Sequence, residues 1–297
     1  MISDQQFADI VETRARRPEA LAEAARGRKR RSEFDEGAGL FLITADDAAR
    51  ANLQIGANPV ALGDRRRFLD RLIAVLEHPA VDGVVATPDV VDDLLLLGAV
   101  HDKLVLGSMN RSGLAGSTWE VDERFTSFDA AAIAAANLDG AKMTLRLDWK
   151  DPTTNDAISA CAGAVGELAR QRSVALVEPL PVYREGGRAR VSNDPDALIR
   201  AVSVAGGMGS VSAYTWLKVP VVRSIAQVVG ATSMPVLVVG GDPGADASKA
   251  IDQWGAALEL PQVRGIVAGR SLLFPADGDF ERAVAAVAAA LGREAGG

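Results

Sequence analysis

The stretch Trp216-Leu217-Lys218-Val219-Pro220 lies in an apolar run, residues 214–222, that predicts a β-strand. Lys218 is unusual there because the 297-residue chain has six lysines against twenty-six arginines, and most of the six occur among polar residues. Burial in such a run favours the neutral form of an amine, which is the nucleophilic form that a Schiff-base lysine needs. The structural alternative is an amine that reaches solvent from a strand end or pairs with a carboxylate.

Seven further apolar runs resemble this strand, and a stretch with helical spacing of apolar residues follows each of the eight. The predicted strands are residues 40–44, 81–87, 104–108, 141–148, 174–179, 214–222, 236–239 and 263–268. The predicted helices are residues 66–76, 90–99, 128–137, 156–171, 195–205, 224–229, 247–258 and 280–291. Eight strand–helix units predict a (β/α)8 TIM barrel with a parallel sheet. The alternative is a doubly wound open sheet, which is usually shorter or carries a second domain.

The beginning of the chain differs from the rest. Residues 1–37 have a weak apolar stripe among many charges and predict one or two amphipathic helices. We therefore divide the chain into an N-terminal helical extension, residues 1–37, and a barrel, residues 38–297. The extension could cover the bottom of the barrel or mediate assembly.

Composition limits the classes of partner. The hydrophobic content of 48% supports a large core, and the net charge of −7 argues against a nucleic-acid partner. No run is long enough for a membrane span, and the first residues do not resemble a signal peptide. The single cysteine, Cys161, excludes an internal disulfide framework. We expect a soluble cytoplasmic protein, a homo-oligomer, that acts on a small molecule.

Function in this fold belongs to the carboxyl ends of the strands. The residues there that carry chemistry are Asp46, Arg146, Asp148, Glu178, Lys218, Gly240, Gly241, Gly269 and Arg270. In the fourth strand, alternation predicts that Lys142, Thr144, Arg146 and Asp148 share the inward face. Charges inside a barrel are unfavourable unless they are paired or used, so we interpret this face as functional. The alternatives are a reversed strand face or a structural ion-pair network.

Two carboxylates are candidates for proton transfer beside Lys218. Glu178 ends the fifth strand, and a carboxylate near a buried amine can accept and return protons. Its alternative role is that of a simple ion-pair partner. Asp46 ends the first strand and could orient Lys218 or bind substrate hydroxyls. Asp47 competes for that role, although it could equally cap the helix that follows.

Glycines follow the seventh and eighth strands and predict a phosphate site. Loops at these positions commonly hold a phosphate through backbone N–H groups. We assign this role to Gly240, Gly241 and Gly269, with Arg270 as the charged contact. Arg146 and Asp148 are further candidates for substrate binding.

Metal and cofactor signals are weak. His78 and His101 both precede strands and so belong to the end of the barrel opposite the predicted site. With a single cysteine as well, a catalytic zinc site is disfavoured. The sequence has neither a phosphate-loop motif nor a dinucleotide fingerprint. We predict neither a metal nor a cofactor.

Short motifs along the chain resemble known aldolases. Val177-Glu178-Pro179-Leu180, Leu217-Lys218-Val219 and Ala268-Gly269-Arg270 are similar to class I (Schiff-base) aldolases of the tagatose-bisphosphate and archaeal fructose-bisphosphate type. Thr44-Ala45-Asp46 and Ala48-Ala49-Arg50 resemble more closely an actinobacterial barrel family associated with inositol catabolism and often labelled deoxyribose-phosphate aldolase. The resemblance extends over most of the chain from about residue 38.

This resemblance implies a role for four residues. Lys218 would be the Schiff-base lysine, Glu178 the proton-transfer carboxylate, Lys142 the second lysine of strand four, and Asp46 the strand-one acid. It implies a phosphorylated ketose as substrate, 5-dehydro-2-deoxygluconate 6-phosphate, cleaved to dihydroxyacetone phosphate and malonate semialdehyde. Asp47-Ala48 stands where the pattern has His-Pro. A sugar-phosphate isomerase or epimerase, and a non-catalytic sugar-phosphate-binding barrel, therefore remain alternatives.

Overall fold

The computed structural model describes most of the chain. The described residues are 1–35, 37, 39–111, 113–117, 120–186, 188–240, 247–275 and 277–293.

Eight parallel strands close into a barrel, which confirms the predicted (β/α)8 TIM fold. The barrel strands are β1 (Leu40–Ala45), β2 (Gly83–Ala86), β3 (Leu104–Ser108), β4 (Gly140–Leu147), β5 (Val174–Glu185), β7 (Thr215–Pro220), β8 (Val236–Val239) and β9 (Val263–Ala268), and β6 (Arg188–Val191) is an additional strand that pairs antiparallel with β5. The hydrogen-bonded order is β4-β3-β2-β1-β9-β8-β7-β5, and β5 pairs back onto β4 to close the ring. Closure rules out the open doubly wound sheet.

Helices alternate with the strands as the spacing of apolar residues predicted. They are α1 (Asp4–Arg16), α2 (Ala20–Gly27), α3 (Arg65–Glu77), α4 (Pro88–Leu96), α5 (Ala130–Ala135), α6 (Thr154–Arg170), α7 (Pro195–Gly206), α8 (Ile225–Val229), α9 (Ala247–Leu258), α10 (Arg270–Leu273) and α11 (Phe280–Ala290). Two 3₁₀ turns, Asp47–Arg50 and Ala61–Gly63, lie between β1 and α3. Local sequence fixes several helix starts. Asp64 accepts a hydrogen bond from the Arg67 N–H at the start of α3, and a proline begins both α4 and α7.

The interior of the barrel changes from apolar to polar along its axis. Its apolar layers form a separate buried cluster: Leu40, Leu42, Val85, Leu104, Leu106, Leu176, Leu237 and Val267. At the carboxyl ends of the strands the buried inward residues become polar or charged, namely Thr44, Ser108, Lys142, Thr144, Glu178 and Lys218. The apolar layers support the structure from below, and the polar layer above them forms the floor of the site.

The segment before β1 crosses the amino end of the barrel. Arg28, only 4% exposed, forms an ion pair with Asp139 and donates to the carbonyls of Val100 and Lys103. Phe34 packs edge-on against Trp216, with ring centroids 5.0 Å apart. This segment therefore contacts the barrel directly through buried groups.

The structure corrects one element of the sequence interpretation. The fifth strand is predicted to end at residue 179, whereas β5 continues to Glu185 and forms a hairpin by pairing antiparallel with β6. Its outer residues are exposed, and a strand exposed to solvent on both faces has no hydrophobic alternation to reveal it. Main-chain pairing stabilises this hairpin, and Gly186 at its turn has a positive φ of 57°.

Candidate active site

Strand register brings the predicted charged residues to one level of the barrel. Thr144 of β4 is in register with Glu178 of β5, and Val177 of β5 is in register with Leu217 of β7. Lys218 therefore follows at the height of Glu178. Parallel strands with this register direct alternate side chains into the barrel, so their polar groups meet.

Glu178 is held between two lysines. Its Oε1 lies 2.8 Å from Lys218 Nζ, and its Oε2 lies 3.1 Å from Lys142 Nζ. Lys142 Nζ also lies 3.1 Å from Asp46 Oδ2. Four of the residues predicted for the site, from four different strands or strand ends, thus form one cluster of two ammonium groups and two carboxylates.

Lys142 and Lys218 differ in how their amines are held. Lys142 Nζ donates to Thr144 Oγ1 at 2.7 Å in addition to its two carboxylate partners, so its three N–H donors each have an acceptor. Lys218 Nζ has Glu178 as its partner among the described residues. The Lys142 amine is therefore fixed as a charge, whereas the Lys218 amine has hydrogens left for another group.

Neighbouring polar side chains hold the cluster in place. Ser108 Oγ donates to Asp46 Oδ2 at 2.8 Å, and Thr144 Oγ1 donates to Glu178 Oε2 at 3.2 Å. Asn110 bridges to β4 through both ends of its amide, accepting from Thr144 N–H at 2.9 Å and donating to the Thr144 carbonyl at 2.8 Å. Ser108 and Asn110 are not among the residues predicted for the site. Their position at and just after the end of the third strand was the available signal.

Burial and charge together shift the pKa of the clustered groups. Burial alone would raise the pKa of Glu178, but Lys142 and Lys218 hold it well below its ordinary value. Burial acts in the same way on Asp46, and Lys142, Lys218 and the Ser108 hydroxyl again bring its pKa below the ordinary value. Burial would lower the pKa of Lys142, yet Asp46 and Glu178 raise it above its usual range. Both carboxylates and Lys142 are consequently ionised near neutral pH.

Lys218 lies where two cavities meet. A large one of about 850 Å³ extends from Lys218 past Gly240, Gly269 and Arg270 towards the start of α3. A small polar one of about 120 Å³ contains Lys142, Glu178 and Asp46 and also reaches Lys218. A ligand bonded to the Lys218 amine would therefore have one side in each cavity.

The predicted phosphate residues line the large cavity. Gly240 has a positive φ of 113°, and a Cβ on Gly269 would lie 2.9 Å from Thr44 Oγ1, so both positions favour glycine. Arg270 Nε is 3.3 Å from Asp47 Oδ2, and its Nη1 donates to Asn52 Oδ1 at 2.8 Å. Burial raises the pKa of Asp47, against the effect of Arg270. Gly241 lies outside the described residues.

Two predicted residues lie apart from the cluster. Arg146 forms a buried ion pair with Glu123, and it lines a different cavity beneath the loop that carries Glu123. Asp148 is paired with Arg184 of the hairpin at 3.2 Å. These side chains join β4 to the loops above it, and the structure does not bring them to Lys218.

In the described part of the chain, no group of three or more His, Cys, Asp and Glu side chains is arranged to hold a metal ion. No described helix is both long and apolar enough to cross a membrane.

Fold and site together define a (β/α)8 barrel with a buried lysine–carboxylate cluster at the carboxyl ends of its strands. The Cgl0159-like family model matches residues 38–288, and the chain belongs to that family. The crystal structure of Cgl0159 from Corynebacterium glutamicum is 38% identical, covers 98% of both chains and superposes with a TM-score of 0.93.

More distant solved structures share the fold. An archaeal fructose-1,6-bisphosphate aldolase is 15% identical, with 92% of this chain and 99% of that chain covered and a TM-score of 0.63. A second structure of an archaeal fructose-1,6-bisphosphate aldolase is 14% identical, with 90% of this chain and 99% of that chain covered and a TM-score of 0.62. In that structure the catalytic lysine is covalently bound to the carbinolamine intermediate of the substrate. No protein of curated function matches this sequence.

Proposed function

We propose that this protein is a class I aldolase in which Lys218 forms a Schiff base with a phosphorylated ketose. The observation that carries the proposal is the difference between the two lysines. The three N–H donors of Lys142 are all occupied, whereas Lys218 has one carboxylate partner and opens onto both cavities. A nucleophilic amine needs an adjacent proton acceptor and free space for a carbonyl carbon, and Lys218 has both.

The first steps of the reaction use Lys218 and Glu178. Glu178 accepts a proton from the Lys218 ammonium, and the neutral amine adds to the ketone carbon to give a carbinolamine. Glu178 returns that proton to the leaving hydroxyl group as water departs, which leaves an iminium ion and an ionised Glu178. The iminium withdraws electrons from the bond to be broken, because its positive nitrogen can accept the electron pair of that carbon–carbon bond.

Cleavage then divides the substrate. A base removes the proton of the hydroxyl group on the leaving half, the carbon–carbon bond breaks, and its electron pair forms an enamine on Lys218. We assign this base to Glu178, and the charge of Lys142, whose Nζ lies 3.1 Å from Glu178 Oε2, stabilises the negative charge that develops on oxygen. The enamine carbon is protonated, and water hydrolyses the new iminium to dihydroxyacetone phosphate and free Lys218. The water released at the start is thereby consumed.

The other predicted residues bind the phosphate of the substrate or orient Lys142. Gly240, Gly269 and Arg270 bind the phosphate, and Asp46 orients Lys142. Gly241 belongs to the same proposed phosphate loop. The substrate that we propose is 5-dehydro-2-deoxygluconate 6-phosphate, cleaved in inositol catabolism to dihydroxyacetone phosphate and malonate semialdehyde. The resemblance of the first strand and its following turn to that family supports this choice.

Borohydride trapping tests the proposal. The protein is incubated with dihydroxyacetone phosphate, reduced with borohydride, and examined by intact mass and peptide mapping. We expect a covalent adduct on Lys218 that is lost in Lys218→Met and retained in Lys150→Met, a variant of an exposed lysine. Full turnover of Lys218→Met would overturn the proposal. Binding of dihydroxyacetone phosphate without an adduct would favour a sugar-phosphate isomerase, or a binding protein if no product forms.

A further inference from the structure

The small cavity contains an arginine with an unused buried donor. Arg50 is the last residue of the 3₁₀ turn Asp47–Arg50 after β1, and it lines the same cavity as Lys142 and Glu178. Its Nε is buried and has no hydrogen-bond acceptor among the described residues, a state shared there only with the Ser127 hydroxyl. Buried donors are normally paired, so an unpaired guanidinium N–H beside a reacting lysine indicates a place for a ligand oxygen.

Charge in the cavity points to an anionic ligand. Four cationic side chains line it, namely Arg50, Arg111, Lys142 and Lys218, against three carboxylates, namely Asp46, Asp47 and Glu178. Asp47 is moreover paired with Arg270, which lies outside this cavity. Outside the cavity, Arg50 Nη2 lies 3.9 Å from Glu120 Oε1, which is a long ion pair and leaves the buried Nε without an acceptor.

The position of Lys218 decides which half of the substrate meets Arg50. The phosphate-bearing half lies on the side of Gly240, Gly269 and Arg270, in the large cavity. The other half, which leaves as the aldehyde, must then extend into the small cavity towards Arg50 and Arg111. That cavity is about 120 Å³ against about 850 Å³ for the larger one, so it suits a short group.

We propose that Arg50, assisted by Arg111, binds a carboxylate at the end of the leaving half, so that the aldehyde product is a short oxo acid. This inference rests on the aldolase function proposed above and adds the residues that select its second product. A guanidinium group binds a carboxylate through two parallel N–H donors. A neutral aldehyde end lacks the second acceptor oxygen for this pairing, and an ammonium group lacks the two parallel donors.

The test uses the reaction in the direction of condensation. The whole protein is given dihydroxyacetone phosphate with malonate semialdehyde, propanal or glyceraldehyde 3-phosphate, and kcat and KM are measured for each acceptor. We expect malonate semialdehyde to be the best acceptor of the three. Arg50→Gln should lower kcat/KM for malonate semialdehyde on the order of ten- to a hundred-fold, mainly through KM, because a hydrogen bond to a charged group is lost. The kcat/KM of Arg50→Gln for propanal should equal that of the unaltered protein.

Further variants guard against a simple folding defect. Arg111→Gln changes an exposed residue and should raise KM for malonate semialdehyde by a smaller factor than Arg50→Gln does. Arg50→Lys keeps the positive charge, so its kcat/KM for malonate semialdehyde should lie between those of Arg50→Gln and the unaltered protein. Arg188→Gln, in the exposed hairpin, is the matched control and should behave as the unaltered protein.

The outcomes separate this inference from the proposed function. Borohydride trapping of dihydroxyacetone phosphate needs Lys218 but not Arg50, so Arg50→Gln should keep the adduct. If the unaltered protein gives no adduct, the aldolase function itself fails. If the adduct forms but propanal or glyceraldehyde 3-phosphate is used as well as malonate semialdehyde, or Arg50→Gln reduces all three acceptors equally, the carboxylate site is wrong.

Discussion

Lys218 Nζ lies 2.8 Å from Glu178 Oε1, and the two residues come from neighbouring barrel strands, β7 and β5. The second oxygen of the same carboxylate lies 3.1 Å from Lys142 Nζ. Glu178 is thus the counter-charge of two buried ammonium groups at once. Its removal has consequences for stability as well as for any reaction at Lys218.

Glu178→Gln should destabilise the protein at neutral pH. The variant leaves Lys142 with Asp46 alone and deprives Lys218 of its carboxylate, and breaking a buried ion pair from one side typically costs about 3–5 kcal/mol. We expect a decrease of about 3 kcal/mol in the free energy of unfolding, measured with urea. Glu185→Gln, which removes a carboxylate 66% exposed and paired with Arg190, should have little effect. Equal stability of the two variants would contradict the prediction.

The penalty of Glu178→Gln should depend on pH. The pKa of Glu178 is lowered in the folded protein from its ordinary value of 4.5. As the pH falls, Glu178 is therefore protonated in the unfolded chain before it is protonated in the folded protein. The stability that this carboxylate contributes is therefore complete above about pH 4.5 and is lost as the pH falls towards the folded value. The difference in unfolding free energy between the unaltered protein and Glu178→Gln should be constant above about pH 5 and shrink as the pH falls below about 4.5. A constant or growing difference would be inconsistent with this sign.

Inorganic phosphate should raise the melting temperature through Arg270. Its side chain is directed into the large cavity by Asp47 and Asn52, and guanidinium groups bind phosphate strongly. Arg270→Gln should weaken phosphate binding by about tenfold or more, read as loss of the thermal shift. Arg264→Gln is the control, because that arginine is also paired with a carboxylate, Asp35, but lies near the amino end of β9. An undiminished shift in Arg270→Gln would place the phosphate elsewhere.

Arg28→Met should show that the segment before β1 supports the barrel. The guanidinium of Arg28 is buried against Asp139 and the backbone carbonyls of Val100, Lys103 and Asn137, all of which would lose this donor, although Asp139 would keep its ion pair with Arg30. We expect a loss of about 3 kcal/mol or more in unfolding free energy, in one cooperative transition. Arg26→Met changes an exposed neighbour and should be nearly neutral. An unchanged stability of Arg28→Met would mean that residues 1–37 are a separable extension.

The sequence by itself determined the elements of the barrel. Strand β8 at 236–239 and helix α9 at 247–258 have the predicted bounds, because a parallel strand covered on both faces is a continuous apolar run and its helix has a regular apolar face. It also determined that Lys218, Glu178 and Asp46 are polar residues at the carboxyl ends of strands and that Lys142 lies on the inward face of the fourth strand. In a closed parallel barrel those ends converge, so local pattern was sufficient to bring the four together.

Only the tertiary structure decided which partner each charge takes. Strand alternation puts Arg146 in one row with Lys142, yet a loop far along the chain supplies Glu123 and holds Arg146 away from Lys218. Likewise, no pattern in the sequence assigns a role to Arg50, and its unpaired Nε enters the small cavity only through the fold. Electrostatic and hydrogen-bond partners depend on distances of a few ångströms between residues remote in sequence, and these distances exist only after the barrel has closed and its loops have packed.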